Sequence, residues 1–325
     1  MKQISLNIFA ALAICSSCFA MGTVPPPVTA EVIAPSVTFI RAIGSSGSGD
    51  GQFLYPRDVY LSSYNNSSSG MGNIFVADTG NNRVEVFNSN AEHLFSFGGF
   101  GNSQGKFSSP AGIAVDLSQR IYVADKDNNR VQTFDVNGSF LSEFGYFGAD
   151  PGKFIEPLGI AVDSWGRIFA ADSGNNRIEK FDEVGTFLDS IGGFGMSNGY
   201  FNAPSDVATD ADGYLYAADT KNDRIQKMNS TGMPMAVFGV SGSGDGEFHS
   251  PAGIAVDDKY IYVSDTGNNR IQIFNKNGMF LMKFGSTGIN FGEFNNPVGI
   301  SAGTPGLLLV ADTNNHRIQE FKVSF

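Results

Sequence analysis

The sequence has little cysteine, little tryptophan and little charge. Its 325 residues include two cysteines and one tryptophan, and only 16% of them are charged. Both cysteines, Cys15 and Cys18, fall near the N-terminus. A disulfide framework or a cysteine-ligated zinc site is therefore not expected in the body of the protein. The sequence also lacks a membrane-spanning run, because its one apolar stretch, residues 4–14, is too short to cross a bilayer as a helix.

Glycine and phenylalanine are present in excess. The chain has 40 glycines and 29 phenylalanines, and no segment shows a helical period. This composition predicts many short strands joined by tight turns. The formal net charge is −11, so the protein lacks the basic surface that binds a phosphate backbone. We expect no nucleic-acid partner.

The N-terminus is typical of an export signal. One basic residue, an apolar run and small residues up to Ala20 predict a signal peptide over residues 1–20 and a secreted or periplasmic protein. Residues 21–36 contain four prolines and predict an extended linker. The alternative is lipidation at Cys18, although the aliphatic residue usual three places earlier is missing.

One unit occurs six times along the chain. The string Ala77-Asp78-Thr79-Gly80-Asn81-Asn82-Arg83 recurs with small changes at a period of 46 or 47 residues. An Asn follows each Asp by three residues and an Arg follows it by five. The six aspartates are Asp78, Asp125, Asp172, Asp219, Asp265 and Asp312. A period of this length is the signature of a repeat architecture.

A second string, Gly-x-Phe-x-x-Pro, precedes each of these aspartates. It ends at Pro56, Pro110, Pro157, Pro204, Pro251 and Pro297. Only the first interval, 54 residues, is long, and the extra residues form a Ser/Asn/Gly-rich loop at 62–70. In the second unit, alternation predicts strands a to d over 112–116, 120–124, 130–135 and 140–144.

Six four-stranded units predict an all-β, six-bladed β-propeller of antiparallel blades. The last unit lacks its fourth strand, while residues 39–44 before the first unit match 140–145. The N-terminal strand is therefore predicted to complete the last blade beside residues 317–321 and to close the ring.

The strings at 105–110, 121–125 and 128–132, which read GKFSSP, IYVAD and NNRVQ, resemble NHL repeats. The resemblance covers residues 37–325, so it implies an NHL-repeat propeller over the whole chain after the linker. It is unspecific for activity, because NHL propellers include enzymes, RNA binders and sensor domains.

The recurrent Asp, Asn and Arg are interpreted as structural. A ligand would break the symmetry of a ring, whereas these residues occur in all six units. We expect one ion pair or turn-capping contact per blade and a turn role for the Asn. His316 occupies a position held by Asn or Asp in the other units and is interpreted as a turn residue.

Functional residues are expected where the repeats differ. The second residue after the proline is Gly in four units but Asp58 in the first and Asp206 in the fourth. Those two blades face each other across a six-bladed ring, so we expect both carboxylates at the channel. Together with backbone carbonyls they suit Ca²⁺, and the resemblance supports this, because NHL-like amidating lyases and related lactonases hold calcium there. The alternative is that each Asp accepts nearby backbone N–H groups and that Arg57 pairs with Asp58.

Two functions remain open. The first is a binding scaffold that presents its channel face to a protein, peptide or saccharide ligand, with Arg57, Asp58 and Asp206 as ligand-binding candidates, in a protein expected to be a monomer. The second is a calcium-dependent hydrolase or lyase with Asp58 and Asp206 as metal ligands. No catalytic residue is assigned, since both cysteines lie in the predicted signal and no cysteine nucleophile remains after it.

Overall fold

The computed structural model describes residues 34–62, 72–303 and 306–324. The predicted signal peptide, nearly all of the predicted linker and most of the inserted loop lie outside these ranges. The described residues form six antiparallel four-stranded sheets, which confirms the all-β six-bladed propeller. Five blades are continuous in sequence, and each runs from an innermost strand a to an outermost strand d.

The strand bounds follow the chain, with β2–β5, β6–β9, β10–β13, β14–β17 and β18–β21 forming blades 1 to 5. The strands are β1 Ser36–Ile43, β2 Asp58–Leu61, β3 Ile74–Asp78, β4 Arg83–Phe87, β5 His93–Gly98, β6 Pro110–Val115, β7 Ile121–Asp125, β8 Arg130–Phe134, β9 Phe140–Phe144, β10 Pro157–Val162, β11 Ile168–Asp172, β12 Arg177–Phe181, β13 Phe187–Gly192, β14 Asp206–Thr209, β15 Leu215–Asp219, β16 Arg224–Met228, β17 Pro234–Phe238, β18 Gly253–Val256, β19 Tyr260–Asp265, β20 Arg270–Asn275, β21 Phe280–Phe284, β22 Pro297–Gly303, β23 Leu307–Asp312 and β24 Arg317–Ser324. A short 3-10 turn joins strands b and c in every blade.

The sixth blade is closed by the N-terminal strand, as predicted. Its order is β22, β23, β24 and β1, and β1 pairs with β24 from Ser36 opposite Ser324 to Ile43 opposite Ile318. The pairing is longer than the predicted five residues because β24 continues past Phe321 to Ser324. His316 adds a contact across the closure, since its Nδ1 accepts the backbone N–H of Tyr55 at 3.0 Å.

The core lies between the faces of neighbouring blades. Strand b is fully buried in five blades and is buried except for its first residue, Tyr260, in the fifth. The phenylalanine of every Gly-x-Phe-x-x-Pro string has no exposed surface. The glycine that ends strand d permits this packing. At Gly98, where φ is +109°, an added Cβ would lie 2.5 Å from the ring of Phe107. Positive φ and the close approach of a ring together require glycine there.

The recurrent Asp, Asn and Arg form one buried network per blade, as predicted. In the second blade, Asp125 Oδ1 accepts the N–H of Ser108 at 2.7 Å, while Oδ2 accepts Asn128 Nδ2 at 2.9 Å and Arg130 Nε at 2.8 Å. The same ion pair occurs in all six blades. A buried carboxylate is tolerated here because it is paired with Arg and fully hydrogen-bonded.

The position seven residues after the Asp completes the network with a glutamine in four blades. In the second blade, Gln132 Nε2 donates to the carbonyl of Lys106 at 2.7 Å and to Asp125 Oδ2 at 3.1 Å, and its Oε1 accepts Gly105 N–H at 2.8 Å. The first and third blades have Glu85 and Glu179 instead, both fully buried. Burial raises the pKa of Glu85, and the charge of Asp78 adds a small effect in the same direction. The N–H of Gly51, the guanidinium of Arg83 and His93 oppose the shift.

We expect Glu85→Gln to stabilise the protein by about 1 kcal/mol near neutral pH, because the amide can donate where the carboxylate cannot. Because the pKa of Glu85 is raised in the folded protein, its contribution to stability is lost as pH rises through that pKa. The stability gained by Glu85→Gln should therefore grow with pH. Urea denaturation at several pH values measures it. The control is Gln226→Glu in the fourth blade, which should destabilise, and a Glu85→Gln variant less stable than wild type at pH 8 would contradict the prediction.

Candidate functional site

The ring has two different faces. Strands a begin on the face formed by the d–a loops and the b–c turns, which we call the loop face. They end on the face formed by the a–b and c–d hairpins, which we call the hairpin face. Because β1 is the outer strand of its blade, Ser36 lies at the hairpin face and Ile43 at the loop face.

The central channel is open toward the hairpin face and nearly closed toward the loop face. A cavity of about 280 Å³ extends from Asp58 and Asp206 to the ends of the inner strands, with Asp257 and Asp258 among its lining residues. On the other side of the two carboxylates only about 10 Å³ remains. The residues that enter the inner strands fill this end: Arg57, Ala111, Leu158, Ser205, Ala252 and Val298. The accessible part of the channel therefore opens on the hairpin face and not on the loop face.

Asp58 and Asp206 lie at the junction of these two parts, and the structure places them as expected in blades that face each other. Each carboxylate connects its own blade to the next. Asp58 accepts the N–H of Val59 and that of Ile113, both at 2.8 Å. Asp206 accepts the N–H of its neighbour Val207 at 2.8 Å and that of the next blade's Ile254 at 2.9 Å. Every carboxylate oxygen thus accepts a backbone donor, which is the alternative considered from the sequence.

The inner strands consequently have an approximate two-fold symmetry. The N–H of Gly299 donates to the carbonyl of Arg57, and the N–H of Gly159 donates to the carbonyl of Ser205, both at 2.9 Å. A Cβ added to Gly159 would lie 2.0 Å from Asp206 Oδ1. An aspartate in one blade therefore requires a glycine in the preceding blade, so two neighbouring blades cannot both carry Asp at this position.

The environment disfavours charge on both carboxylates. Burial raises the pKa of Asp58 to about 7, against the opposing effects of its two backbone donors and Arg57. Burial, followed by the charge of Asp58, raises the pKa of Asp206 well above its usual value. Burial also lowers the pKa of Arg57, although both carboxylates favour its charged form. The three side chains thus form one electrostatically linked group.

This linkage predicts a stability that falls as pH rises. The folded protein retains a proton on Asp58 between 3.8 and about 7, where the unfolded chain has lost it, so the associated stability is present below 3.8 and is lost as pH rises through about 7. In Asp58→Asn with Asp206→Asn, each amide keeps one acceptor and has no charge to desolvate. We expect the double variant to be less stable than wild type at acidic pH and to lose less stability between about pH 5 and pH 8. Parallel pH slopes in thermal melts would contradict this.

The d–a loops of the loop face share one backbone structure. Each contains an isolated parallel bridge between a residue near the loop start and the buried phenylalanine seven residues later. The bridges are Ser46–Phe53, Phe100–Phe107, Phe147–Phe154, Phe194–Phe201, Ser241–Phe248 and Thr287–Phe294. The recurrent Asn and Arg hold these loops. Asn128 Nδ2 donates to the carbonyl of Gly101 at 2.9 Å, and Arg130 donates to that of Ser103 at 3.0 Å.

The first residue of this bridge breaks the six-fold symmetry. Three consecutive loops place a phenylalanine there, and Phe100, Phe147 and Phe194 are 78%, 70% and 73% exposed. The other three loops have Ser or Thr at that position. We call the three phenylalanines the aromatic arc. The sequence interpretation missed it, although aligning the repeats seven residues before each buried phenylalanine would have found it. So much exposed aromatic surface on a rigid scaffold is typical of an interaction site.

Comparison with known proteins identifies the repeats. A family model described as "NHL repeat" matches residues 107–134, 154–181, 248–274 and 294–321, which cover the networks and buried phenylalanines of four blades. The chain contains NHL repeats. The first and fourth blades, which are the two with Asp at the inner strand, are outside these matches. No curated protein matches the chain significantly.

Several solved structures share the propeller fold. A structural genomics protein of unknown function from Bacteroides thetaiotaomicron is 17% identical with a TM-score of 0.66, and the match covers 90% of this chain and 76% of that protein. An auxiliary nutrient binding protein from the same organism is 12% identical with a TM-score of 0.64, and the match covers 89% of this chain and 76% of that protein. A virginiamycin B lyase from Staphylococcus aureus, solved with quinupristin, is 14% identical with a TM-score of 0.58, and the match covers 89% of this chain and 99% of the lyase chain. At these identities the likeness shows the fold alone.

The channel of this NHL propeller is a poor fit to calcium. Ca²⁺ takes six to eight oxygen ligands, whereas the carboxylates of Asp58 and Asp206 already accept backbone donors and lie beside the cationic Arg57. Across the residues that the structure describes, no group of three or more His, Cys, Asp or Glu side chains is placed to hold a metal. The observed bonds instead support a role in joining blades.

The described segments include no helix long and apolar enough to cross a membrane.

Proposed function

We propose that this NHL propeller is a secreted or periplasmic binding scaffold that holds a protein, peptide or saccharide ligand on its loop face. The observation that carries the proposal is the aromatic arc, three exposed rings in equivalent positions on half of that face. Burying such rings against a ligand would remove a large apolar area from water.

The loops that carry the arc are well suited to binding, because the buried networks fix them. The carbonyls of Gly101, Gly148 and Gly195, each directly after an exposed phenylalanine, accept the turn Asn of their blades at 2.9 Å. A surface fixed before binding loses little conformational entropy when the ligand arrives. In this proposal the recurrent Asp, Asn and Arg act indirectly, by holding the binding loops.

Photo-crosslinking tests the proposal. Benzoylphenylalanine is introduced at Ser241 on the loop face or at Ser139 in a c–d hairpin, both exposed, and each variant is irradiated in extracellular or periplasmic extract. We expect discrete adducts from position 241, with position 139 as the matched control on the opposite face. Equal labelling at both positions, or none at 241, would contradict a loop-face scaffold.

The alternative of a calcium-dependent hydrolase or lyase receives no support from the donor set described above. It makes a separate prediction, in which added Ca²⁺ binds with measurable heat and raises the melting temperature through Asp58 and Asp206. For a scaffold we expect calorimetry to show no Ca²⁺ binding, while Asp58→Ala and Asp206→Ala lower the melting temperature equally with and without Ca²⁺.

A further inference from the structure

We propose that the ligand of the aromatic arc is an uncharged polysaccharide, with sugar rings at intervals along the polymer stacking on Phe100, Phe147 and Phe194. This deepens the proposed function and rests on it, because it names the ligand class for the same face.

The arc repeats one contact three times in consecutive blades. Phe100, Phe147 and Phe194 have the same place in loops of the same backbone structure, and consecutive blades of a six-bladed ring are related by rotation of about 60°. Equal rings at equal intervals suit a ligand whose own chemistry repeats along its length. A polysaccharide has this property, whereas a folded protein surface presents three different contacts to three equivalent sites.

Sugar rings match the chemistry of the exposed side chains. An aromatic face carries partial negative charge and attracts the polarised C–H groups on the flat side of a pyranose. The rings of the arc are more than two-thirds exposed, so such a face can reach them without rearrangement of the loops. Polar residues that could bond sugar hydroxyls follow two of the rings, with Asn102, Ser103 and Gln104 in the first loop and Ser197 and Asn198 in the third.

Charge divides the loop face into two halves. The loops of the arc, residues 99–106, 146–153 and 193–200, contain two lysines and one aspartate. Lys153 is paired with Asp150 at 2.6 Å, and Lys106 donates to the carbonyl of Gly98 at 2.7 Å. The equivalent loops of the other half, residues 45–52, 240–247 and 286–293, have no basic residue. They carry Asp50, Asp245, Glu247 and Glu293. A cationic partner would favour that acidic half, so the arc is suited to an uncharged ligand.

The orientation of the chain disfavours a lipid surface as the occupant. Strand β1 begins at Ser36 on the hairpin face, so a tether attached before it would start on the side opposite the aromatic arc. The acidic half of the loop face would also meet any anionic membrane that contacted the arc, and like charges repel.

Affinity electrophoresis tests the proposal on the purified protein. Native gels contain hydroxyethylcellulose, galactomannan or soluble starch, which are neutral polysaccharides of different linkage, and retardation gives the dissociation constant. The test variant is Phe100→Ser, Phe147→Ser and Phe194→Ser together. Serine is what the chain itself has at Ser46 and Ser241 in loops of the same structure, so the variant should fold. The matched control is Val240→Ser with Ile289→Ser, which removes exposed apolar side chains from the other half.

We expect retardation of wild type by at least one of the three polymers, a dissociation constant raised at least tenfold in the triple variant, and no change in the control variant. Wild-type mobility unaffected by all three polymers would overturn the proposal, as would equal retardation of the triple variant with an unchanged melting temperature. Flotation with phosphatidylcholine vesicles that depends on the arc would overturn it in favour of a lipid surface. If crosslinking at position 241 succeeds while all three gels fail, the scaffold function stands and only the ligand class is wrong.

Discussion

Deletion of residues 34–43 is expected to lower the melting temperature by more than about 10 °C or to make the protein insoluble. The deletion removes β1, which pairs with β24 along its whole length and covers Ile318, Gln319 and Phe321. The sixth blade would then end in an exposed edge strand beside uncovered core, which promotes aggregation. Because each blade packs on its two neighbours, loss of one outer strand should destabilise the whole propeller and not only the sixth sheet.

Two further variants keep this prediction testable if the deletion fails to fold. Ile43→Ala retains the ladder but removes a buried side chain, so it should cost about 2–4 kcal/mol in the free energy of unfolding. Deletion of residues 22–33, which ends before β1, is the matched control and should leave the melt unchanged. A synthetic peptide of residues 34–45 should restore part of the stability of the deletion variant by strand addition. An unchanged melt on loss of β1 would show that the ring does not depend on this pairing.

The architecture could be predicted from the sequence because the repeats encode it six times. In the second blade the predicted strand d, residues 140–144, agrees with β9, and the other three strands differ by no more than two residues at either end. Each repeat alone is a weak signal, but six copies in one register average out local ambiguity. The closure of the ring followed from a strand missing at one end and present at the other, which is a matter of counting.

The candidate site could be predicted only in part. The opposed positions of Asp58 and Asp206 followed from the blade count, but their bonds to Ile113 and Ile254 depend on the stagger of neighbouring inner strands, which no pattern encodes. The open end of the channel depends on how side chains such as Arg57 pack at the centre. The aromatic arc is visible in the aligned repeats, yet only the fold shows that those phenylalanines are exposed while the ones seven residues later are buried.

Gly159→Ala is expected to destabilise the protein by about 3 kcal/mol, because the inner strands leave no room for a methyl group. The added Cβ would lie 2.0 Å from Asp206 Oδ1 and 2.5 Å from Asp206 Cα, and real contacts at such distances do not occur. Part of the strain would move the Asp206 carboxylate away from the N–H of Ile254, which would lose its partner. Gly193→Ala is the matched control in the d–a loop that leads to the fourth blade. An added Cβ there meets only Tyr200 at 3.8 Å, so the change should be neutral or slightly stabilising.

A double variant separates the two sources of this strain. If the clash is chiefly with the carboxylate, Asp206→Gly should recover much of the stability lost in Gly159→Ala, and the two changes should be strongly non-additive in chemical denaturation. If it is chiefly with the backbone of Asp206, the effects should add. Either result would place the strain where the fourth blade meets the third. A Gly159→Ala protein as stable as Gly193→Ala would instead show that the inner strands can shift apart, and the pairing of each aspartate with a glycine in the preceding blade would lose its physical basis.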